Sequence, residues 1–313
     1  MAAIARSVNS TIVLKSIGAS LRFAALRAGF AVGSWLMPNA TLHRAFRLFG
    51  TPMPGARERA LAADTLGARM QMLEHGEHRV ATYLWGDPAQ QPLVLLAHGW
   101  SSYGLRFAPW IRALRQAGYA VATFDQLAHG RSSGRRATLP SFAETLFQVA
   151  KHYGPLSAVV GHSLGGAATM LALSKGMQAE RTVLIAPAAD PMAAGERFGR
   201  AVGLAQSLRN HIFDEWEKRF QIPVAGLQAH VNVPFIACPA LVVHDIEDKE
   251  VPWAEGERYA RYWPQARLIS TTGLGHHRVA SEPEVIADAL RFLQGETVGE
   301  RVVSSPNLPF GVA

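Results

Sequence analysis

Between residues 93 and 293 the chain alternates short apolar runs with helix-length amphipathic segments, a pattern that few folds accept. The apolar runs are Leu93–Ala97, Ala120–Phe124, Ser157–Val160, Val183–Ala186 and Leu241–His244, with a more mixed one at Arg267–Thr271. Helical periodicity fills the intervals at Phe107–Ala117, Phe142–His152, Leu164–Ser174, Trp253–Tyr262 and Val285–Leu293. A strand that returns through a helix lies parallel to its predecessor. Such a sheet is covered on both faces, so its strands read as unbroken apolar runs. Ahead of this region, Met70–Glu74 and Arg79–Trp85 alternate around His75-Gly76 and predict an antiparallel hairpin. The expected fold is therefore α/β, a mostly parallel central sheet with an N-terminal antiparallel hairpin and helices on both faces. In sheets of this kind, chemistry collects at the carboxyl ends of the strands.

One insertion interrupts the alternation. Between Pro187 and Pro239 no strand signal occurs, while Phe198, Leu204, Leu208, Ile212, Phe213, Trp216 and Phe220 recur at near-helical spacing. Residues 190–234 are expected to form a small helical cap on a core made of 61–189 and 235–296. The tail, 297–313, reads as a loosely attached strap or as disorder. The single cysteine, Cys238, excludes an internal disulfide framework and a cysteine-based metal site, and its apolar flanks suit an ordinary buried residue.

The formal charge of +7 raises the question of nucleic acid until it is located. Residues 1–60 hold eight basic side chains and one acid, Glu58, which leaves 23 of each sign in the remainder. A nucleic-acid groove needs its charge on the folded body, so no nucleic-acid partner is expected. The basic segment, 1–60, reads as a helical extension. One helix runs roughly from Ala19 to Met37 and is stopped by Pro38; Thr41 can cap a second, which Gly50 and Pro52 end. The longest charge-free apolar stretch before Pro38, Ala28–Met37, is about half of what a membrane span needs. Arginines interleaved with Leu21, Phe30, Trp35, Leu42 and Phe46 predict instead a peripheral contact of residues 1–50 with an anionic membrane. Packing against the body competes with that reading on equal terms. The expected location is cytoplasmic or peripheral at a membrane, and the acid-poor, Arg- and Ser-containing start also suits an organelle transit peptide.

Five motifs carry chemistry. Gly161-His162-Ser163-Leu164-Gly165, with Gly166 following, lies between an apolar strand and a helix. That sharp turn presents the Ser163 hydroxyl above the sheet, and small neighbours are needed because strand and helix nearly touch. His98-Gly99-Trp100 follows the Leu93–Ala97 strand; Asp125 begins a loop running to Gly130-Arg131-Ser132; and Leu241–Pro252 ends an apolar strand in His244-Asp245-Ile246-Glu247-Asp248. The last is Gly273-Leu274-Gly275-His276-His277, after the final strand.

In this order, over roughly residues 68–295, the motifs resemble those of the α/β-hydrolase superfamily, specifically its capped, esterase- and lipase-like members. The resemblance implies Ser163 as nucleophile, Asp248 as the triad acid and His276 as the base, in the chain order usual for that fold. Asp190 occupies the fold's other location for the acid, Asp245 and Glu247 are near competitors, and His277 doubles the histidine. The resemblance also implies oxyanion-hole amides from Trp100 and Leu164, with His98 shaping the loop. The loop after Asp125 departs from the family pattern where Ala128 replaces a glycine, and Asp245 replaces another in the Leu241–Pro252 motif. The implied activity is a serine hydrolase acting on a small-molecule acyl ester through an acyl-enzyme, with no cofactor and no metal. Trp100, Phe213 and Trp216 are the expected substrate-binding aromatics. Thioester, amide and carbon–carbon bond hydrolysis use the same residues and stay open, as do a membrane-surface lipid hydrolase and a non-catalytic binding role on the same fold. Oligomeric state is not legible.

Overall fold

Among the described residues, eight strands form one sheet in the order β1-β2-β4-β3-β5-β6-β7-β8. They are β1 (Arg69–His75), β2 (His78–Trp85), β3 (Leu93–Ala97), β4 (Ala120–Phe124), β5 (Leu156–His162), β6 (Ala179–Ile185), β7 (Ala240–Asp245) and β8 (Ala266–Thr271). The computed structural model describes residues 20–302, apart from the side chains of Glu215 and Arg219. The expected helix start at Ala19, the charges of Arg6 and Lys15, and residues 303–313 of the tail lie outside the described residues.

β1 and β2 pair antiparallel, β2 pairs antiparallel with β4, and all later pairings are parallel. The hairpin closes with His75 opposite His78, so its loop is two residues long, and Gly76 takes a φ of 59° at the first of them. That position of a type II′ turn calls for glycine. β3 and β4 are buried at every residue, as two-sided cover demands. The helix Leu164–Ser174 is buried from Gly165 to Leu173, because its sequence is apolar on all sides. Beside it runs Leu139–Tyr153, begun by a capping box in which Thr138 and Ser141 bond each other's backbone amides, with Pro140 in the first turn.

The chain divides into two compact units. The larger runs from Gly50 to Pro191 and from Ala225 onward, and contains the whole sheet. The smaller joins the described residues up to Phe49 with Met192–Val224. The N-terminal helices and most of the insertion, expected as separate pieces, thus share one small core. Phe49 meets the rings of Phe198 and Phe213 at 5.0 and 5.8 Å, and the Ser34 hydroxyl accepts from the Ala205 amide at 3.1 Å. Two expectations for this segment change. Pro38 opens the second helix, Pro38–Phe49, as well as ending the first, and Thr41 is buried inside that helix instead of capping it. Its hydroxyl side lies against Gly33, where an added Cβ would come within 2.6 Å of Thr41 Oγ1.

The tail is tied down as far as it is described. Leu268 of β8 exchanges two backbone hydrogen bonds with Glu300, at 2.7 and 2.8 Å, and Val298 is buried. The strap therefore extends the sheet edge.

At the carboxyl end of β4, the buried Asp125 carboxylate gathers three donors: the Tyr83 hydroxyl at 2.8 Å, the Gly104 amide at 2.9 Å and the Arg131 amide at 2.8 Å. Ser132 completes the knot by donating to the Asp125 carbonyl and accepting from the Ala81 amide. Ala128, in the glycine position of the motif, still adopts a φ of 68°. Asp125→Asn would turn an acceptor into a donor facing donors, and should lower stability by about 1–3 kcal/mol. Urea denaturation measures it; an unchanged midpoint would show that the knot carries no such weight.

Candidate active site

Ser163 stands between the end of β5 and the first turn of helix 164–174 with φ 55° and ψ −122°, a region side chains seldom occupy. Its own amide bonds the Ile185 carbonyl at 2.9 Å, and its carbonyl accepts from Gly166 at 2.9 Å. The turn closes only because its neighbours lack side chains. A Cβ on Gly161 would lie 2.8 Å from the Gly165 carbonyl oxygen and Gly166 Cα; one on Gly165 would lie 2.2 Å from the Ala97 carbonyl oxygen. The second contact joins the elbow to the end of β3.

The structure brings three of the expected residues together. His276 Nδ1 lies 2.7 Å from Asp248 Oδ2, and His276 Nε2 lies 2.9 Å from Ser163 Oγ. An ionised carboxylate only accepts, so Nδ1 carries the proton and Nε2 offers its lone pair to the serine hydroxyl. Asp248 and His276 are buried, at 8% and 7% exposure. Asp248 Oδ1 accepts from the Glu250 and Val251 amides at 2.8 and 2.9 Å. Burial pushes the carboxyl's pKa up, but hydrogen bonds from His244, His276 and Val251 outweigh it and hold the group well below the usual carboxylate range.

The competing residues have other partners. Asp190 pairs with Arg258 at 3.1 Å, and His277 pairs with Glu250 at 3.0 Å on the surface. Glu247 is exposed. Asp245 accepts from the Thr271 hydroxyl at 2.8 Å and the Leu274 amide at 3.0 Å, bracing the loop that carries His276. Phe213 and Trp216, expected at the substrate site, are only 8% and 4% exposed. Phe213 packs on Phe49 and against Gly195, and Trp216 on Phe220, so these side chains serve the core of the smaller unit.

Two residues carry more than the sequence reading gave them. His244 Nε2 lies 2.9 Å from the Val251 carbonyl and 3.3 Å from Asp248 Oδ2, placing a second imidazole behind the acid. Its other face abuts Gly256, where a Cβ would come within 2.2 Å of Nδ1. The signal for it is the position of His244 in the Leu241–Pro252 motif, four residues before Asp248. His162 Nε2 donates to the His276 carbonyl at 2.9 Å, and burial followed by the nearby His276 pushes its pKa down to about 3. Nitrogens of His162, His276 and His277 lie within 4.8 Å of one another. A divalent metal could sit there only by taking nitrogens from the hydrogen bonds described above.

The turn His98-Gly99-Trp100 lies beside the elbow, since a Cβ on Gly99 would be 2.9 Å from Ser163 Cβ. Two buried histidines fix it. His98 donates through Nδ1 to the Gly99 carbonyl at 2.7 Å and accepts at Nε2 from the Gln126 amide at 2.9 Å. His129 donates through Nδ1 to the Leu127 carbonyl and accepts at Nε2 from the Ser101 amide at 3.0 Å. Both roles need a neutral ring. The Trp100 ring rests on His129 and Phe142 at 5.0 and 5.9 Å. Among the described residues, the amides of Trp100 and Leu164 donate to no protein acceptor.

A family model described as serine aminopeptidase, S33, matches residues 88–230, which include His98–Trp100 and the Ser163 elbow. A monoacylglycerol lipase from Mycolicibacterium smegmatis is 32% identical over 100 residues, 29% of this chain and 36% of the relative, so the chain aligns with about a third of that protein's length. Alpha/beta hydrolase domain-containing protein 10 from mouse superposes with a TM-score of 0.57 at 19% identity, covering 72% of this chain and 97% of that one. A bacterial membrane phospholipase A gives 0.55 at 17% identity, covering 93% and 98%.

Burial pushes the pKa of His98 down to about 4; burial and then the charge of His98 push that of His129 down to about 3. Unfolding frees both to bind protons near pH 6.5, so the unfolded state holds more protons in the interval below. Stability should be complete above about pH 6.5 and fall as pH drops toward 4, by up to about 1.4 kcal/mol per unit for each histidine. Denaturant titrations at pH 7 and pH 5 measure this, and His98→Gln should flatten the slope. A pH-independent midpoint over that range would contradict it.

Proposed function

We propose, from the premise that this chain is an α/β-hydrolase, that it is a serine hydrolase cleaving a carboxylic ester through an acyl-enzyme on Ser163. The observation that carries the reading is the continuous line of hydrogen bonds from Asp248 through His276 to Ser163 Oγ, at 2.7 and 2.9 Å. In this reading His276 Nε2 takes the hydroxyl proton as Ser163 Oγ attacks the ester carbonyl carbon. Asp248 keeps the ring in the Nδ1–H tautomer and stabilises its charged form. The carbonyl oxygen, now negative, accepts from the Trp100 and Leu164 amides, a contribution of about 3–4 kcal/mol for each such donor.

Collapse of the tetrahedral species breaks the bond to the alkoxy group, which leaves as the alcohol with the proton from His276. Water then enters, gives its proton to His276 and attacks the acyl carbon; the acid departs and Ser163 regains its hydrogen. His244 and Asp245 are positioning residues, the first behind Asp248 and the second behind the loop of His276. Trp100 supplies apolar surface beside the oxyanion donors. The name of the mycobacterial relative favours a lipid ester over a water-soluble one. Independently of that chemistry, we propose a peripheral contact of residues 1–50 with an anionic membrane, supported by the eight basic side chains and single acid of residues 1–60.

A fluorophosphonate probe should label one residue, Ser163, and Ser163→Ala should abolish labelling. Asp248→Asn and His276→Ala should each lower kcat on p-nitrophenyl esters by about three orders of magnitude or more. His277→Ala and Asp190→Asn should change it only a few-fold, because their partners lie outside the line of hydrogen bonds. Labelling that persists in Ser163→Ala, or a folded His277→Ala as inactive as His276→Ala, would overturn the assignment.

A further inference from the structure

Helix 20–36 buries a single narrow stripe. Phe30, Gly33 and Ser34 are buried and Leu26 half-buried, which at 3.6 residues per turn is one face. Ser34 holds that face by donating to the Phe30 carbonyl at 2.6 Å while accepting from Ala205. A helix packed this way on a globular protein normally shows charged and polar residues on its outer side. Here the outer side, from Leu21 through Ala28 and Val32 to Trp35 and Leu36, carries no charge and no polar side chain. Its large members are 66% (Leu21), 57% (Val32), 83% (Trp35) and 59% (Leu36) exposed, and Met37 adds another at 61%. Scattered exposed apolar residues call for no explanation, but a contiguous strip along one helix does.

The charges around the strip select its occupant. Arg22 and Arg27 lie at its two margins, Arg44 and Arg47 follow in the next helix, and no acid occurs between Ser20 and Arg57. Arg27 reaches back to the Arg200 and Ala201 carbonyls, and Arg44 stands over the Phe30 ring at 5.0 Å. Pairing with a second copy through this face would set arginine margins against each other with no carboxylate to neutralise them. An anionic bilayer offers the opposite: phosphate and carboxylate headgroups for the arginines and acyl chains for the strip. Trp35 at its end suits the headgroup boundary. Two arginines within 17 residues do not suit a span, and among the described residues no helix is long and apolar enough to cross a membrane.

We propose that the outer face of helix 20–36 docks in the plane of an anionic lipid bilayer, from which the enzyme takes a lipid ester. The second half of this statement rests on the hydrolase reading; the docking does not. The test uses full-length Ser163→Ala, which leaves the vesicles unhydrolysed. Flotation is measured with phosphatidylcholine vesicles and with vesicles that also contain phosphatidylglycerol. Binding to the anionic vesicles at low salt should exceed binding to neutral ones by about tenfold and fall as salt rises.

Val32→Asp with Leu36→Asp should reduce it by about tenfold more, since both charges would enter the acyl region. Both positions are exposed, so the melting temperature should hold; Trp35→Ala serves if it does not, with a smaller loss in the same direction. Equal flotation of parent and variant overturns the proposal, as does a parent that stays with the aqueous phase. So does a parent dimer that the substitutions convert to monomer while neither binds vesicles. Turnover of p-nitrophenyl butyrate by the wild-type chain without vesicles separates the two claims. Its absence with binding intact sinks the hydrolase reading alone, and its presence without binding sinks the docking alone.

Discussion

Ser163 is held with φ 55° and ψ −122°, and the functional end of the sheet is arranged around that one strained residue. Strain of this kind costs about 1–3 kcal/mol and persists only where the surroundings over-determine it. They do so from three directions. The strand side fixes the Ser163 amide on Ile185; the helix side fixes its carbonyl through Gly166; and β3 presses its last carbonyl against Gly165. The hydroxyl therefore points out at the carboxyl end of the sheet, where the loops after β3, β7 and β8 bring Gly99, Asp248 and His276. A serine relaxed into an ordinary turn would meet none of them in this geometry.

Each of those loops is stiffened by buried polar groups used as acceptors. His98 and His129 are neutral rings that accept backbone amides, and Asp125 and Asp245 are carboxylates that gather several donors. Asp248 is braced in the same way: two amides hold one oxygen, and two imidazoles share the other. A buried acceptor left unmatched costs about 1–3 kcal/mol, so each loop has few alternative conformations. Preorganisation of this sort is what an oxyanion site requires, because donors that must first reorient lose much of their effect.

Much of this was legible in the sequence, for reasons that differ by element. The runs 93–97 and 120–124 and the helix 164–174 coincide with the structure because each is predominantly apolar and ends at a polar residue, His98, Asp125 or Lys175. β6 begins at Ala179, earlier than the apolar run at Val183, since Glu180 and Arg181 lie in its less buried first part and the buried Thr182 is polar, so none of the three carries an apolar signal. The proximity of Ser163, Asp248 and His276 is legible because a local motif carries each of them. His244 went unassigned because its role depends on a carboxylate four residues away in a folded loop. Cap aromatics failed for the opposite reason: near-helical spacing says that Phe213 and Trp216 face something apolar, and not whether it is substrate or core. The union of N-terminal helices with the insertion joins segments more than 140 residues apart, which no local pattern encodes.

If the line Asp248–His276–Ser163 does what its geometry permits, an acyl group must reside on Ser163 during turnover. Rapid quenching of the protein with p-nitrophenyl butyrate, followed by intact and peptide mass analysis, looks for that species directly. The account predicts an early release of p-nitrophenolate and a butyryl adduct confined to the peptide that contains Ser163, both absent in Ser163→Ala. Steady ester turnover by a folded Ser163→Ala chain, or an adduct on another residue that turns over at the catalytic rate, would contradict it.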